Sequence, residues 1–496
     1  MPLPVHQKPC YRLAVLSVLM IGCVISVAQA QTTEDTRLRL DQQLERNTAG
    51  TEARLLQDAE DAETLTVDGR VYTVGNTVSE TGQALYISVM RKQWPDAQRF
   101  LRAYLNLPGH DPMLVAYAQG GLARARGDLA AAETYFRELD ALQSGFLPGQ
   151  LELGRTLFEN RKDREALDVF LTIDKGLMPD DTKAAGVRST VRSYIDALEY
   201  RRNWHGSVAV GLGYNSNLNQ SSENITCLLP GTDGECFFER RLPDAIGAES
   251  LSYEASINRH FPLKGHHGLH VRGLVYGEAY DSHSGYNRTT LVTQAGYIYR
   301  TGKYSLSIAP TYEAGLLGNS SFYDAWGARA EAFFPLSSSA ALKIDLSHKY
   351  MKYRQSRYNA HTGGQTDVSV TLWQNLPRGL TLFAGPDINL RDTTLAADSS
   401  RLNGFRGGFN KSFVSGFNVF AMAAIRRRDY DGYSELLAAT RRDDEQNYIV
   451  VFQAPIWSVK GLMPSVNLQH NRVRSNVGWL YSYERTAISL KLERHF

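Results

Sequence analysis

The chain has 496 residues, 54 Lys and Arg against 52 Asp and Glu, and 43% hydrophobic residues. A net charge of +2 argues against a nucleic-acid binder, and no segment beyond residues 1–30 approaches the ~18 apolar residues of a membrane helix. The length asks for two or more domains.

Residues 1–30 read as a secretory signal peptide. Lys8 and Arg12 precede an apolar run from Leu13 to Val27, and Ala28-Gln29-Ala30 supplies small residues for cleavage. A lipoprotein signal with Cys23 is the competing reading, which Met20 and the apolar residues after Cys23 fit poorly. Residues 31–83 form an extension: Thr36 to Ala62 is charged and helix-prone, and Val67 to Tyr72 carries an Asp68-Gly69 hairpin signal.

From 84 to 203 the spacing is helical and repeats. Ala132-x-x-x-Phe136 recurs thirty-four residues later as Ala166-x-x-x-Phe170, Gly120 and Gly154 keep the same step, and Ala97-x-x-x-Leu101 matches upstream. That period belongs to tetratricopeptide (TPR) helix pairs, in which small residues admit close helix contact and the larger ones fill the seam. An unrelated helical bundle is the alternative. About three pairs are legible, separated by breakers at Pro108, Asp111-Pro112, Pro148 and Pro179, with a last helix from Asp180 to Tyr200. A solenoid offers a concave face to a protein or peptide, and Tyr117, Arg124 and Arg155 are the candidate client contacts on it.

Beyond Trp204 the period becomes two. Leu342, Ile344 and Leu346 alternate with Lys343, Asp345 and Ser347, and the same pattern runs through Leu251 to Phe261 and Tyr304 to Leu316. Ten-residue stretches of this kind are the signature of transmembrane strands. Short turns near 264–268, 301–303, 336–339, 377–379, 414–416 and 457–460 alternate with polar loops at 216–248, 282–286, 318–321, 354–361, 394–398, 432–442 and 475–478. Fourteen strands over 204–496 follow, with the short turns periplasmic. Tyr276, Tyr280, Tyr297, Tyr299, Tyr350 and Tyr353 are expected in the interfacial girdles. The final stretch puts Ile488, Leu490, Leu492 and Phe496 on one face, with Arg494 as the exception, and Phe496 is the expected barrel-assembly signal. A soluble β-sandwich is the competing reading.

Cys227 and Cys236 lie in the first long loop, and an exported chain meets an oxidising compartment, so a disulfide is expected there. His260, His266, His267 and His270 gather near a short turn without an acidic partner, and no metal is expected. Arg426, Arg427, Arg428, Lys349, Lys352, Arg354 and Arg357 are expected at the barrel rim. No nucleophile elbow, zinc-binding helix motif or phosphate loop appears, so neither an enzyme nor a cofactor is expected.

The order of parts, with Val67 to Thr77, Asp111 to Ala118 and Gly211-Leu212-Gly213-Tyr214-Asn215-Ser216-Asn217-Leu218-Asn219, resembles the surface lipoprotein assembly modulator family, the outer-membrane part of the type XI secretion system. The resemblance implies a translocator that moves a surface lipoprotein or a soluble secreted protein out of the periplasm. An exopolysaccharide export porin also joins TPR repeats to a barrel and is the alternative. The fold expected is α + β and multidomain, a periplasmic TPR-like solenoid before a 14-stranded antiparallel transmembrane β-barrel in the cell outer membrane. Expected partners are the client, the barrel assembly machinery and outer-membrane lipids, with no nucleic acid. Gly206, Gly211 and Gly213 thin the packing of the first strand and are the candidate seam residues, where that strand meets the last.

Overall fold

The computed structural model describes residues 34–56, 77–177, 185–230 and 236–496. The signal peptide and the hairpin expected at 67–72 lie outside them. A helix over 34–56, α1, comes first. The helical domain follows with α2 (Val78–Met90), α3 (Trp94–Leu105), α4 (Pro112–Ala125), α5 (Leu129–Leu142), α6 (Leu147–Glu159), α7 (Asp163–Gly176) and α8 (Ala185–Arg202).

Local chemistry starts these helices where the repeat requires. Asp111 accepts the Met113 N–H at 2.9 Å and Pro112 opens α4, where its missing N–H leaves no bond unmade. Asp128 caps α5 through the Ala131 N–H at 3.1 Å. Ala97, Ala132, Ala166, Phe136 and Phe170 are all fully buried. A Cβ on Gly120 would fall 2.6 Å from the Phe136 ring, and one on Gly154 2.8 Å from Phe170. Each ring therefore sits on bare backbone of the partner helix, which explains why glycine and aromatic repeat together.

Fourteen strands close the barrel: β1 (His205–Asn215), β4 (Ala248–Pro262), β5 (His267–Ala279), β6 (Arg288–Arg300), β7 (Ser305–Leu317), β8 (Ser320–Pro335), β9 (Ala340–Tyr353), β10 (Gly363–Leu376), β11 (Leu380–Thr393), β12 (Ser400–Ser412), β13 (Asn418–Ser434), β14 (Ala439–Gln453), β15 (Met463–Ser475) and β16 (Tyr483–His495). Each pairs antiparallel with its neighbours, and β1 sits between β4 and β16. A separate hairpin, β2 (Ile225–Pro230) with β3 (Cys236–Arg241), stands in the first loop. Leu212, Ile308, Trp326, Phe405, Ile425 and Leu490 are among the apolar side chains exposed on the outer face. Tight turns use left-handed backbone at Arg378-Gly379, with φ of 64° and 70°, a geometry that matches the twist of a two-residue hairpin.

Three expectations about placement change. Tyr297, Tyr299 and Tyr350 stand on the outer face, but Tyr276 is the register partner of the lumenal Glu254, and Tyr280 and Tyr353 are buried. Tyr353 packs with Phe322 and Tyr358 inside the wall. Arg426, Arg428 and Lys349 are not rim residues: they point into the lumen and are buried in ion pairs. The loop expected at 432–442 shrinks to 435–438, because Asp429 pairs with Arg442 and Arg427 with Asp444 on the outer face, which carries β13 and β14 further.

Candidate functional site

A barrel wall alternates apolar and polar residues, so its lumen is polar and asks for a polar filling. Here the filling is α1. Asp35 is 1% exposed and accepts two bonds from Arg426, at 2.7 and 2.9 Å, and one from Asn447 at 2.6 Å. On the opposite side Arg39 meets Glu254 at 2.6 Å, and Glu34 meets Arg329 at 3.3 Å. Arg37 donates to Gln294, Gln43 to Glu493, and Arg46 to Asn410. Leu38 packs against the apolar cluster of Phe383, Phe420 and Met422.

The direction of the helix follows from its partners. Arg426 is midway along β13, whereas His495, 3.2 Å from Asn47, is at the end of β16 beside the short turns. From Asn47 to Asp35 the helix rises about 18 Å at 1.5 Å per residue, from the periplasmic mouth to the middle of the barrel. Cavities of about 40 and 30 Å³ lie beside it, room for a few waters and no polypeptide. At the other end, adjacent loops meet on one side of the mouth: Asn217 donates to the Glu484 carbonyl at 3.0 Å, and Leu480 and Tyr481 are buried with Val477.

Below the mouth, α1 continues onto the helical domain. Leu55 and Leu56 pack against its core, and Glu52 accepts from Arg201 of α8 at 2.6 Å. Arg201 also reaches Asp163 at 2.6 Å and lies over the Phe158 ring at 3.7 Å. Burial opposes a charge on Asp163, yet Arg201 and Arg161 outweigh it and hold the carboxyl below its ordinary range. Glu52 is likewise held low against burial, chiefly by Arg201. The domain docks on the periplasmic turns, with the Gly265 N–H donating to Glu165 at 2.6 Å and the Arg259 Nε to the Arg202 carbonyl at 3.1 Å.

The residues singled out from sequence fall in separate places. Tyr117 is buried, its ring edge-on to Phe136 and Phe146 and its hydroxyl on Met90. Arg124 is clamped by Glu152 and Glu159, at 2.5 and 2.6 Å, and Arg155 also meets Glu152, at 2.9 Å. Cys227 and Cys236 are joined in the β2–β3 hairpin, Cα atoms 5.7 Å apart. Phe496 exchanges backbone bonds with Gly206, at 2.9 and 3.1 Å. The β1–β16 register then runs from Ser207↔His495 to Asn215↔Ala487. A Cβ on Gly211 would strike the Leu490 carbonyl oxygen of β16. His260 and His270 are register partners near the periplasmic end, and no group of metal-ligand spacing occurs among the described residues.

Sequence reasoning missed α1 as a lumenal element. Its signal was available: Glu34, Asp35, Arg37, Arg39, Asp41, Glu45 and Arg46 spread over more than half of the helix circumference, and Thr36, Gln43 and Asn47 share the rest with Leu40 and Leu44, which suits a polar lumen better than an apolar core.

A closed strand barrel with an apolar outer face, a helical-repeat domain on its periplasmic turns and a helix in its lumen is an integral outer-membrane protein. The family model described as surface lipoprotein assembly modifier matches residues 204–496, and that of its N-terminal TPR repeats matches residues 74–170. Hemophilin secretion modulator of Acinetobacter baumannii is 35% identical over 480 residues, covering 93% of this chain and 96% of the relative. Surface lipoprotein assembly modifier 2 of Neisseria meningitidis serogroup B is 25% identical over 404 residues (75% and 78%), and modifier 1 of the same organism 23% over 430 (85% and 83%). The chain belongs to the surface lipoprotein assembly modifier family.

Proposed function

We propose that this protein carries a specific protein client, a lipoprotein or a soluble secreted protein, from the periplasm to the cell surface. The observation that carries the reading is the full-length similarity to a hemophilin secretion modulator, which spans helical domain and barrel together. The helical domain, 84–203, engages the client, with the Arg124–Glu152–Arg155 patch on α4 and α6 as its candidate contact. The barrel, 204–496, gives passage. Holding a binding surface beneath the pore raises the client's effective concentration there. Phe496 is the candidate signal to the barrel assembly machinery, and outer-membrane lipids surround the apolar face. The family match displaces the exopolysaccharide reading.

The test co-expresses a candidate client from the same genome with and without this gene and measures antibody binding on intact cells. Surface display that requires the gene supports the reading. Equal display in both strains, with the client made and processed, refutes it.

A further inference from the structure

We propose that α1 is a displaceable gate: it closes the lumen at rest and withdraws toward the periplasm when a client passes. This rests on the translocator reading and adds the element that regulates it.

The first ground is occupancy. The helix occupies the conduit from its periplasmic mouth to mid-barrel, with wall contacts on both sides, and the two cavities beside it, of about 40 and 30 Å³, are water-sized. A polypeptide cannot share that space.

The second ground is the wall. The principal charged groups that grip α1 each have another partner in the barrel itself. Arg426 keeps Asp387 at 2.5 Å, Glu254 keeps Lys491 at 3.2 Å, Arg329 keeps Asp345 at 2.6 Å, and Glu493 keeps Gln453 at 3.0 Å. Removing α1 therefore strands none of these charges, and its own Asp35 and Arg39 pass into water. Breaking a buried ion pair is severe when one charge is left unpaired, and here the wall avoids that condition. A permanent filling would be held by packed apolar side chains, whereas Leu38 and Leu40 are the main apolar anchors in the inserted stretch.

The third ground is the handle. The outer part of the same helix is fastened to the helical domain through Glu52–Arg201 and through Leu55 and Leu56. A client that shifts this domain pulls on the gate without touching it.

The test uses the full-length protein, with folding checked by heat-modifiable migration. In planar bilayers, the Asp35→Ala/Arg39→Ala variant should raise the open fraction at least tenfold over the unaltered protein, with no client present. In cells, Gln43→Cys with Glu493→Cys is linked by a cleavable bismaleimide, and surface display is compared before linking, after linking and after cleavage. Display should fall on linking and recover on cleavage; a single-cysteine variant taken through the same steps should show no change. A folded double-alanine variant with unchanged conductance, or linked protein that still displays client at its prior rate, overturns the gate. Opened conductance with display equally absent in every strain supports the gate and counts against the client reading.

Discussion

Arg201 is the residue whose loss should be felt most in the helical domain. Its guanidinium joins α1, α7 and α8, is 7% exposed, and faces Asp163, which is 3% exposed. Arg201→Met keeps the apolar stem over Phe158 and leaves Asp163 buried without its main partner. Breaking a buried pair in this way costs about 3–5 kcal/mol. Glu52 is more exposed, and losing its pair adds at most about 1 kcal/mol. The helical signal at 222 nm of detergent-solubilised protein should melt lower by on the order of 10 °C. The pH dependence has a definite sign. In the unaltered protein both carboxyls are held low, so their contribution is full above the unfolded carboxylate value near 4 and is lost as pH falls below it. In the variant the buried Asp163 prefers its proton, so the deficit is largest at pH 7 and narrows toward pH 4. Asp163→Asn added to Arg201→Met should recover part of the loss at pH 7. A deficit under ~1 kcal/mol, or one that does not change with pH, refutes the reasoning.

Two further outcomes follow from the barrel. At Gly211 an added methyl strikes the Leu490 backbone hard, whereas at Gly213 it meets the Ser250 hydroxyl at 2.8 Å, a movable group, and the Ile488 carbonyl oxygen only at 3.0 Å. Gly211→Ala should lower the heat-modifiability temperature by the equivalent of about 1–3 kcal/mol, with Gly213→Ala milder; equal effects would show that close approach of β1 to β16 is not what matters. Replacing Cys227 and Cys236 by Ser releases a short segment, worth about 2–3 kcal/mol to its local order. Protease on intact cells should then cut the first loop faster while barrel melting stays put; a lowered barrel melt would place the bridge in the barrel's stability instead.

Much of this architecture was legible because two periodicities do not overlap. The thirty-four-residue step of Gly120 and Gly154 fixed the helix pairs, since only bare backbone accepts Phe136 and Phe170. Alternation of Leu342, Ile344 and Leu346 with charged neighbours placed the strands and turns within a few residues. Alternation names a face and not a depth, however. Arg426 and Tyr353 looked like strand-end residues because a charge or a phenol at the rim satisfies the same pattern as one paired inside. Tyr117 carried a polar tip at a helical spacing, yet its ring serves the core between α4, α5 and α6. The lumenal placement of α1 depends on contacts such as Asp35 with Arg426, 391 residues apart, and local pattern holds no record of such a pairing.

The same geometry weighs the two routes a client has through this barrel. Opening the β1–β16 seam breaks a ladder that runs from Gly206–Phe496 to Asn215↔Ala487 and turns its backbone groups toward lipid. Each unsatisfied group in hydrocarbon costs several kcal/mol, so a wholly opened seam stands tens of kcal/mol above the closed one unless an incoming strand replaces the lost bonds. Withdrawing α1 exposes charged groups that are already paired in the wall, and water refills the space. That step exchanges buried pairs such as Asp35–Arg426 for solvated ones and uncovers Leu38 and Leu40, whose burial is worth about 1.5–3 kcal/mol each. An emptied lumen has the width of one helix, about 10–12 Å with side chains, which admits an extended or helical chain and no folded domain. On this comparison the proposed withdrawal of α1 asks less of the barrel than a wholly opened seam, and α1 stands across that lumenal path.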